Sequence, residues 1–156
     1  MQYKREDHGF VLGPDRKLYA IGGFNGRKCL NKVEQYDIQS NKWEEIKPLQ
    51  QSRRSLCVTS IADGVYAFGG YDGKSCLKSV EKYDIAKKEW ISMECMSKRR
   101  CSMACVSDCR SIYILGGCDE KALDLVEKYD VVTNEWEVVA SMKCKRFMHS
   151  AVIVSS

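Results

Sequence analysis

The 156-residue sequence contains only two histidines and two prolines. His8 and His149 lie near opposite ends of the chain, so a Ser-His-Asp or Cys-His catalytic centre has little to draw on. No run of about eighteen apolar residues is present, and the opening MQYKREDHGF is charged where a secretory leader needs an apolar stretch. These absences argue against nucleophilic hydrolysis, membrane association and export, and we expect a cytoplasmic or nuclear protein.

Sequence signals for a bound metal or nucleotide are also missing. Cys101, Cys105 and Cys109 lack the second cysteine pair of a zinc knuckle, and we interpret them as small apolar packing residues. The nine cysteines are odd in number and come without an export signal, which favours reduced thiols over a disulfide framework. No G-x-x-x-x-G-K-[ST] phosphate loop is present. We therefore predict a protein without a cofactor and without catalytic residues.

The composition provides enough apolar material for a core. Hydrophobic residues make up 44% of the chain and charged residues 29%, which is typical of a globular protein. No segment keeps the apolar spacing of a helix, whereas short stretches rich in β-branched and aromatic residues recur. The sequence therefore predicts an all-β fold. The formal net charge of +4 indicates only a weak preference for acidic partners.

Three near-identical units follow one another along the chain. Each contains a pair of glycines, then a V-E-x-Y-D run and then a tryptophan. The second glycines recur every 47 residues, and the tryptophans recur after 47 and then 46 residues. A fixed period of this size indicates stacked supersecondary units. The shared positions are Gly22, Gly23, Gly69, Gly70, Gly116 and Gly117; Tyr36, Tyr83 and Tyr129; and Trp43, Trp90 and Trp136.

The second unit shows how one period divides into strands. Turn residues separate four strand-like stretches, Ser55–Ile61, Val65–Gly69, Ser79–Tyr83 and Glu89–Met93. Extended along the chain, this pattern gives repeats at about 7–50, 51–96 and 97–142. Residues 143–156 match the first strand of a further unit.

These markers resemble the kelch repeat, and the resemblance covers residues 7–154. It implies a β-propeller in which each repeat forms a four-stranded antiparallel blade around a central channel. The repeated glycines would allow close backbone approach, and the tyrosines and tryptophans would fill the space between blades. Because closed propellers need about four to eight blades, three blades predict an incomplete ring. The chain would be a fragment of a longer protein or one half of a six-bladed homodimer.

The resemblance also implies where a partner would bind. In the family, the loops that enter each blade and the loops between its second and third strands lie on one face, and each entering loop here carries a basic pair. Such pairs suit an acidic peptide, and aromatic residues beside arginine are common binding anchors. Alternatively, the pairs keep the loops soluble, or one arginine of each pair bonds backbone carbonyls between blades. The predicted contacts are Arg53, Arg54, Ser55, Lys98, Arg99, Arg100, Lys145 and Arg146, with Phe24, Asn25, Arg27, Tyr71, Asp72, Lys74, Asp119 and Glu120.

The amino-acid sequence of the entering loops looks most like that of animal and poxviral proteins in which a BTB domain precedes kelch repeats. This resemblance implies a non-catalytic substrate receptor of a cullin-RING ubiquitin ligase. The alternative is an actin-binding, cross-linking kelch protein. A propeller-borne carbohydrate oxidase or isomerase is less favoured, because two poorly placed histidines do not provide a copper site. Nucleic-acid binding is not expected, since the loops lack dense aromatic and basic interleaving.

Overall fold

Twelve strands in three groups of four form the regular structure of residues 1–154, the part of the chain that this computed structural model describes. Blade 1 contains β1 (Gly9–Leu12), β2 (Lys17–Ile21), β3 (Val33–Asp37) and β4 (Lys42–Ile46). Blade 2 contains β5 (Cys57–Ile61), β6 (Gly64–Phe68), β7 (Val80–Asp84) and β8 (Glu89–Met93). Blade 3 contains β9 (Ala104–Ser107), β10 (Ser111–Leu115), β11 (Val126–Asp130) and β12 (Glu135–Val139). No helix occurs within residues 1–154, and the all-β prediction is confirmed.

Each blade is an antiparallel sheet in which the strands lie in chain order. The first strands of the blades are neighbours, β1 beside β5 and β5 beside β9. Backbone hydrogen bonds link their entrances: the Ser55 N–H donates to the Asp7 carbonyl and the Ser102 N–H to the Ser55 carbonyl, each at 2.8 Å. The predicted arrangement of three propeller blades in an unclosed ring is confirmed.

The hydrophobic core lies between the blades. Side chains alternate in direction along a strand, so each sheet offers one apolar face to the preceding blade and another to the following blade. Equivalent residues build both junctions. Tyr19, Ile21 and Val33 of blade 1 meet Val65, Tyr83 and Trp90 of blade 2; Tyr66, Phe68 and Val80 of blade 2 meet Ile112, Tyr129 and Trp136 of blade 3.

The repeated tyrosine and tryptophan of each blade lie opposite each other on its two outer strands. The Tyr83 and Trp90 ring centroids are 5.3 Å apart, and the Tyr129 and Trp136 centroids 4.9 Å apart. The Trp90 indole N–H reaches the preceding blade and donates to the Lys47 carbonyl at 2.9 Å. Trp136 donates likewise to the Glu94 carbonyl, whereas Tyr36 and Trp43 of blade 1 form the same pair but are only half-buried.

The repeated glycines lie where two backbones meet. A Cβ on Gly69 would lie 2.5 Å from the Arg100 carbonyl oxygen, and one on Gly70 would lie 2.6 Å from the Arg54 carbonyl oxygen. Both glycines also have positive φ angles, 51° and 97°. A side chain at either position would require the backbone to move. Equivalent approaches occur at Gly22, Gly23, Gly116 and Gly117.

The segment after blade 3 differs from the sequence prediction. Residues 143–154 contain no strand, although 143–156 match the first strand of a blade; Ser155 and Ser156 lie outside the described residues. The Arg146 N–H donates to the Leu123 carbonyl at 3.0 Å, so this segment begins on blade 3 as the next blade entrance would. Beyond this entrance, no strand of residues 1–154 pairs with it, and a strand requires such a partner.

Candidate partner-binding face

Six loops emerge at one end of the blades, because successive turns of an antiparallel sheet alternate between its two ends. We define the loop face as the segments that enter or follow each blade, residues 47–56, 94–103 and 140–149, and the loops between second and third strands, residues 22–32, 69–79 and 116–125. Every residue predicted to contact a partner belongs to these segments. Their side chains fall into three groups: buried arginines, an aromatic–arginine stack, and exposed charges.

Arg53 and Arg100 are not available to a partner, which corrects their predicted role. Both side chains are fully buried, and each guanidinium pairs with a buried carboxylate of its own blade, Glu81 or Glu127. The Arg53 guanidinium also donates to the Gly69 carbonyl at 2.9 Å and to the Ser79 carbonyl at 3.1 Å. These bonds close the gap between the ends of β6 and β7. The alternative interpretation from the sequence was that one arginine of each pair bonds backbone carbonyls, and these two arginines do so.

These arginines also join neighbouring blades. The Arg53 side chain lies in blade 2, whereas its N–H donates to the Leu30 carbonyl of blade 1 at 3.0 Å. Burial lowers the pKa of the Arg53 guanidinium, and the Glu81 carboxylate opposes that change. Arg5 repeats the arrangement in blade 1, where its guanidinium contacts Glu34 at 2.7 Å. The glutamate of each V-E-x-Y-D run is therefore the partner of a buried arginine.

The basic pairs do not occupy equivalent positions, contrary to the sequence prediction. Arg53, Arg100 and Arg146 are equivalent, because their carbonyls accept bonds from Gly23, Gly70 and Gly117 respectively. The buried arginine is thus the first member of the pair in blade 2 and the second member in blade 3. As a consequence, the partly exposed Arg54 has Cys101 as its counterpart in the next blade.

Arg54 lies between two aromatic rings from adjacent blades. Its guanidinium carbon is 4.8 Å from the Phe24 ring centroid and 5.3 Å from the Tyr71 ring centroid. All three residues are partly exposed. The structure therefore brings the two predicted aromatic residues into contact with Arg54, and their role as an anchor for a partner stays a prediction. Contact with both rings restricts the orientation of the long Arg54 side chain.

Asn25 and Asp72 shape the loops that carry this stack. The Asp72 side chain accepts bonds from the N–H groups of Lys74 and Ser75 at 2.8 and 2.9 Å. These backbone bonds, led by that of Ser75, lower the pKa of the Asp72 carboxyl. Asn25 accepts the equivalent bonds from Arg27 and Lys28. Their side-chain oxygens are thus engaged within the loops, which holds the following basic side chains outward.

The remaining predicted contacts are exposed charges of both signs. Around the stack they are basic, and beyond Cys118 the third blade adds acidic side chains. Among the described residues, Arg146 has no carboxylate within ion-pair distance, unlike its counterparts Arg53 and Arg100. The exposed set comprises Arg27, Lys74, Lys98, Arg99, Lys145 and Arg146, with Asp119 and Glu120.

The channel mouth adds residues that sequence reasoning missed. Ser55, a predicted contact, and its equivalents Asp7, Ser102 and Met148 all have left-handed φ angles between 50° and 54°. Asp7, Ser55 and Ser102 turn the chain from the loop face into the inner strands β1, β5 and β9, and Met148 has the same backbone conformation after blade 3. Together with the residue that follows each, they line a shallow cavity of about 230 Å³. Four positive-φ residues at one repeat position could not be found from composition, since none is glycine.

Within residues 1–154, no helix is long and apolar enough to span a membrane. The same residues contain no group of three or more His, Cys, Asp or Glu side chains placed to hold a metal ion.

Comparison with known proteins places this arrangement in a family. The model of the KLHDC2/KLHL20/DRC7 Kelch-repeats domain matches residues 1–156. The chain belongs to this kelch-repeat family. The predicted kelch resemblance is confirmed, and the buried arginine, diglycine, tyrosine and tryptophan of each blade are the positions at which this kelch propeller repeats itself.

Individual kelch relatives match over about one repeat. Kelch-like protein 4 of Homo sapiens is 44% identical over 45 residues, which is 29% of this chain and 6% of that protein. Kelch-like protein 7 of Rattus norvegicus is 44% identical over 45 residues, and kelch-like protein 6 of Homo sapiens is 46% identical over 50 residues. The last two matches cover 29% and 32% of this chain and 8% of each relative. The matched segments thus span less than a tenth of these curated relatives.

Proposed function

We propose that this kelch propeller is a non-catalytic protein-binding module that holds a partner protein on its loop face. The observation that carries the proposal is the stack of Arg54 between Phe24 and Tyr71. Arginine and aromatic side chains contribute much of the binding energy at protein interfaces, especially where they are held in place before binding. Two adjacent blades supply the stack, so a partner would bind across a junction between blades.

The preferred partner carries an acidic segment. The loops that carry Phe24 and Tyr71 also carry the exposed basic residues Arg27, Lys28 and Lys74. A guanidinium in contact with aromatic rings can still form paired hydrogen bonds with a carboxylate through its N–H groups. The exposed Asp119 and Glu120 of blade 3 would repel such a segment and direct it towards blades 1 and 2.

Panning of a displayed random peptide library against the purified chain tests this proposal. We expect enriched peptides rich in Asp and Glu, with binding that weakens as salt is added. The variant Arg54→Ala should lose the enriched peptides, whereas Lys87→Ala, at the opposite end of the blades, should retain them. Failure to enrich any peptide, or equal binding by both variants, would overturn the assignment of the face.

A finer proposal concerns the whole protein. From the resemblance of the entering loops to those of BTB-kelch proteins, we propose that this chain acts with a BTB domain as a substrate receptor of a cullin-RING ubiquitin ligase in the cytoplasm or nucleus. Actin binding is the alternative use of the same face. Co-sedimentation with filamentous actin that is lost in Arg54→Ala would favour actin as the ligand of this face and argue against the receptor role.

A second copy of the chain is a further proposed partner. In blades 2 and 3 a preceding blade covers the tyrosine of the aromatic pair, and Tyr83 and Tyr129 are buried, whereas the equivalent Tyr36 of blade 1, paired with Trp43, is half-buried. Blade 3 of another copy would cover them and complete a six-bladed ring. Sedimentation equilibrium tests this directly: twice the chain mass supports the homodimer, and a monomer rejects it.

A further inference from the structure

Two cysteine thiols lie in contact on the loop face. Cys101 precedes β9 and Cys118 follows β10, and the two residues form an isolated antiparallel bridge three positions beyond the last pair of these strands, Ala104 and Leu115. Each N–H donates to the other residue's carbonyl at 2.9 Å, so the residues are directly opposite. Their sulfur atoms are 3.6 Å apart. This position holds the stacked Arg54 and Tyr71 in blade 2 and Glu6 and Phe24 in blade 1.

This geometry is compatible with a covalent bond. Hydrogen-bonded antiparallel pairs have Cα atoms about 5.5 Å apart, within the range of about 4.4–6.8 Å found in disulfides. The sulfur atoms need to approach from contact distance to about 2.0 Å, which side-chain rotation can supply. Both residues are partly exposed, so an oxidant of small size can reach them.

We propose that Cys101 and Cys118 form a reversible disulfide by exchange with glutathione disulfide. The Cys101 thiolate attacks one sulfur of glutathione disulfide, whose S–S bond breaks to release one glutathione. The Cys118 thiolate then attacks the Cys101 sulfur and releases the second glutathione. Both cysteine protons pass to the departing glutathione thiolates, directly or through water. The two protein thiols are oxidised, and one glutathione disulfide is reduced to two glutathiones.

The pKa of Cys118 and the nearby thiol of Cys76 determine how disulfide formation between Cys101 and Cys118 has to be tested. Burial, followed by the hydrogen bond with Cys101, raises the pKa of Cys118 to about 11. A thiol with so high a pKa reacts slowly at neutral pH, so the reaction has to be followed to equilibrium. Cys76 of the neighbouring blade lies close by, with its thiol 3.5 Å from the Cys118 carbonyl oxygen, and is the competing thiol.

The experiment equilibrates the chain with mixtures of reduced and oxidised glutathione, blocks free thiols with N-ethylmaleimide under acid quench, and maps tryptic peptides by mass. Cys109→Ser and Cys144→Ser form the background, because these two exposed thiols would otherwise link separate chains. Trypsin leaves Cys118 alone in the peptide 111–121 and leaves Cys101 together with Cys105 in the peptide 101–110, so fragmentation of the joined peptides in the mass spectrometer identifies which of the two is linked.

The expected product is these two peptides joined, with the mass of two hydrogen atoms lost, and separated again by dithiothreitol. Cys101→Ser should abolish the joined product, whereas Cys76→Ser should leave it unchanged. The proposal is overturned if Cys118 remains blocked by maleimide, carries only glutathione, or is joined to Cys76 or Cys105. Mapping of the chain with Cys101 intact needs no further variant, so misfolding of Cys101→Ser would not hide the result.

Discussion

The loops entering blades 2 and 3 carry similar basic pairs and use them differently. In residues 51–55 the first arginine, Arg53, is buried and the second, Arg54, is stacked at the surface. In residues 97–101 the order is reversed, because Arg99 is exposed and Arg100 is buried. The position of an arginine in the repeat therefore decides whether it is buried or exposed, and its place within the basic pair does not.

The largest expected difference in stability is between variants of Arg99 and Arg100, the two arginines of the loop that enters blade 3. Arg100→Met should lower the free energy of unfolding by about 3–5 kcal/mol, because Glu127 would stay buried without a counter-charge. Arg99→Met should change it by less than about 0.5 kcal/mol, since Arg99 is exposed. Urea denaturation followed by tryptophan fluorescence measures both. Similar losses in the two variants would contradict the comparison.

A double replacement tests whether the unpaired Glu127 carboxylate causes the loss of stability in Arg100→Met. Arg100→Met with Glu127→Leu removes both charges, so most of the destabilisation by Arg100→Met alone should be recovered. About 1–2 kcal/mol should remain lost, because the Gly116 and Leu125 carbonyls lose their arginine donor. If the double variant were as unstable as the two single variants combined, the unpaired carboxylate would not be the cause.

A smaller loss of folding free energy is expected for variants of Arg54, the surface arginine of the loop that enters blade 2. Arg54→Met should cost about 1 kcal/mol of folding free energy, the value of an exposed guanidinium on aromatic rings. Arg54→Lys should fall between Arg54→Met and the unaltered chain, because an ammonium retains the charge and loses the planar stack. Thermal unfolding of the three proteins side by side tests this order. A loss as large as that of Arg100→Met would place Arg54 among the structural residues.

The fold could be predicted from the sequence because its markers repeat. The glycines, tyrosines and tryptophans each have one backbone or packing constraint per blade, and the constraint recurs every 46 or 47 residues. The strand Glu89–Met93 was located to the residue. The prediction failed for residues 143–154, where apolar residues typical of a strand have no neighbouring strand to pair with.

The site was predicted less accurately than the fold, because the entering loops were aligned by matching their basic pairs and not by the period of the repeat. Aligning the pairs put Arg53 opposite Arg99, 46 residues apart, whereas the second glycines of the same two blades, Gly70 and Gly117, are 47 apart. The glycine period aligns Arg53 with Arg100 and places Glu81 close to Glu127, which reveals a repeated pair of opposite charges. The contact between Cys101 and Cys118 could not be foreseen, since the sequence does not show which loop residues pair beyond the ends of β9 and β10.

The affinity of one acidic peptide, selected on the unaltered chain, for Arg53→Met and Arg54→Met tests the central claim most directly. The measurement is made by calorimetry at a temperature where both variants are folded. The two residues are neighbours in sequence, so general changes in charge are matched. The account predicts that Arg54→Met weakens binding by about tenfold or more and that Arg53→Met binds like the unaltered chain. Weakened binding by Arg53→Met with full binding by Arg54→Met would contradict it.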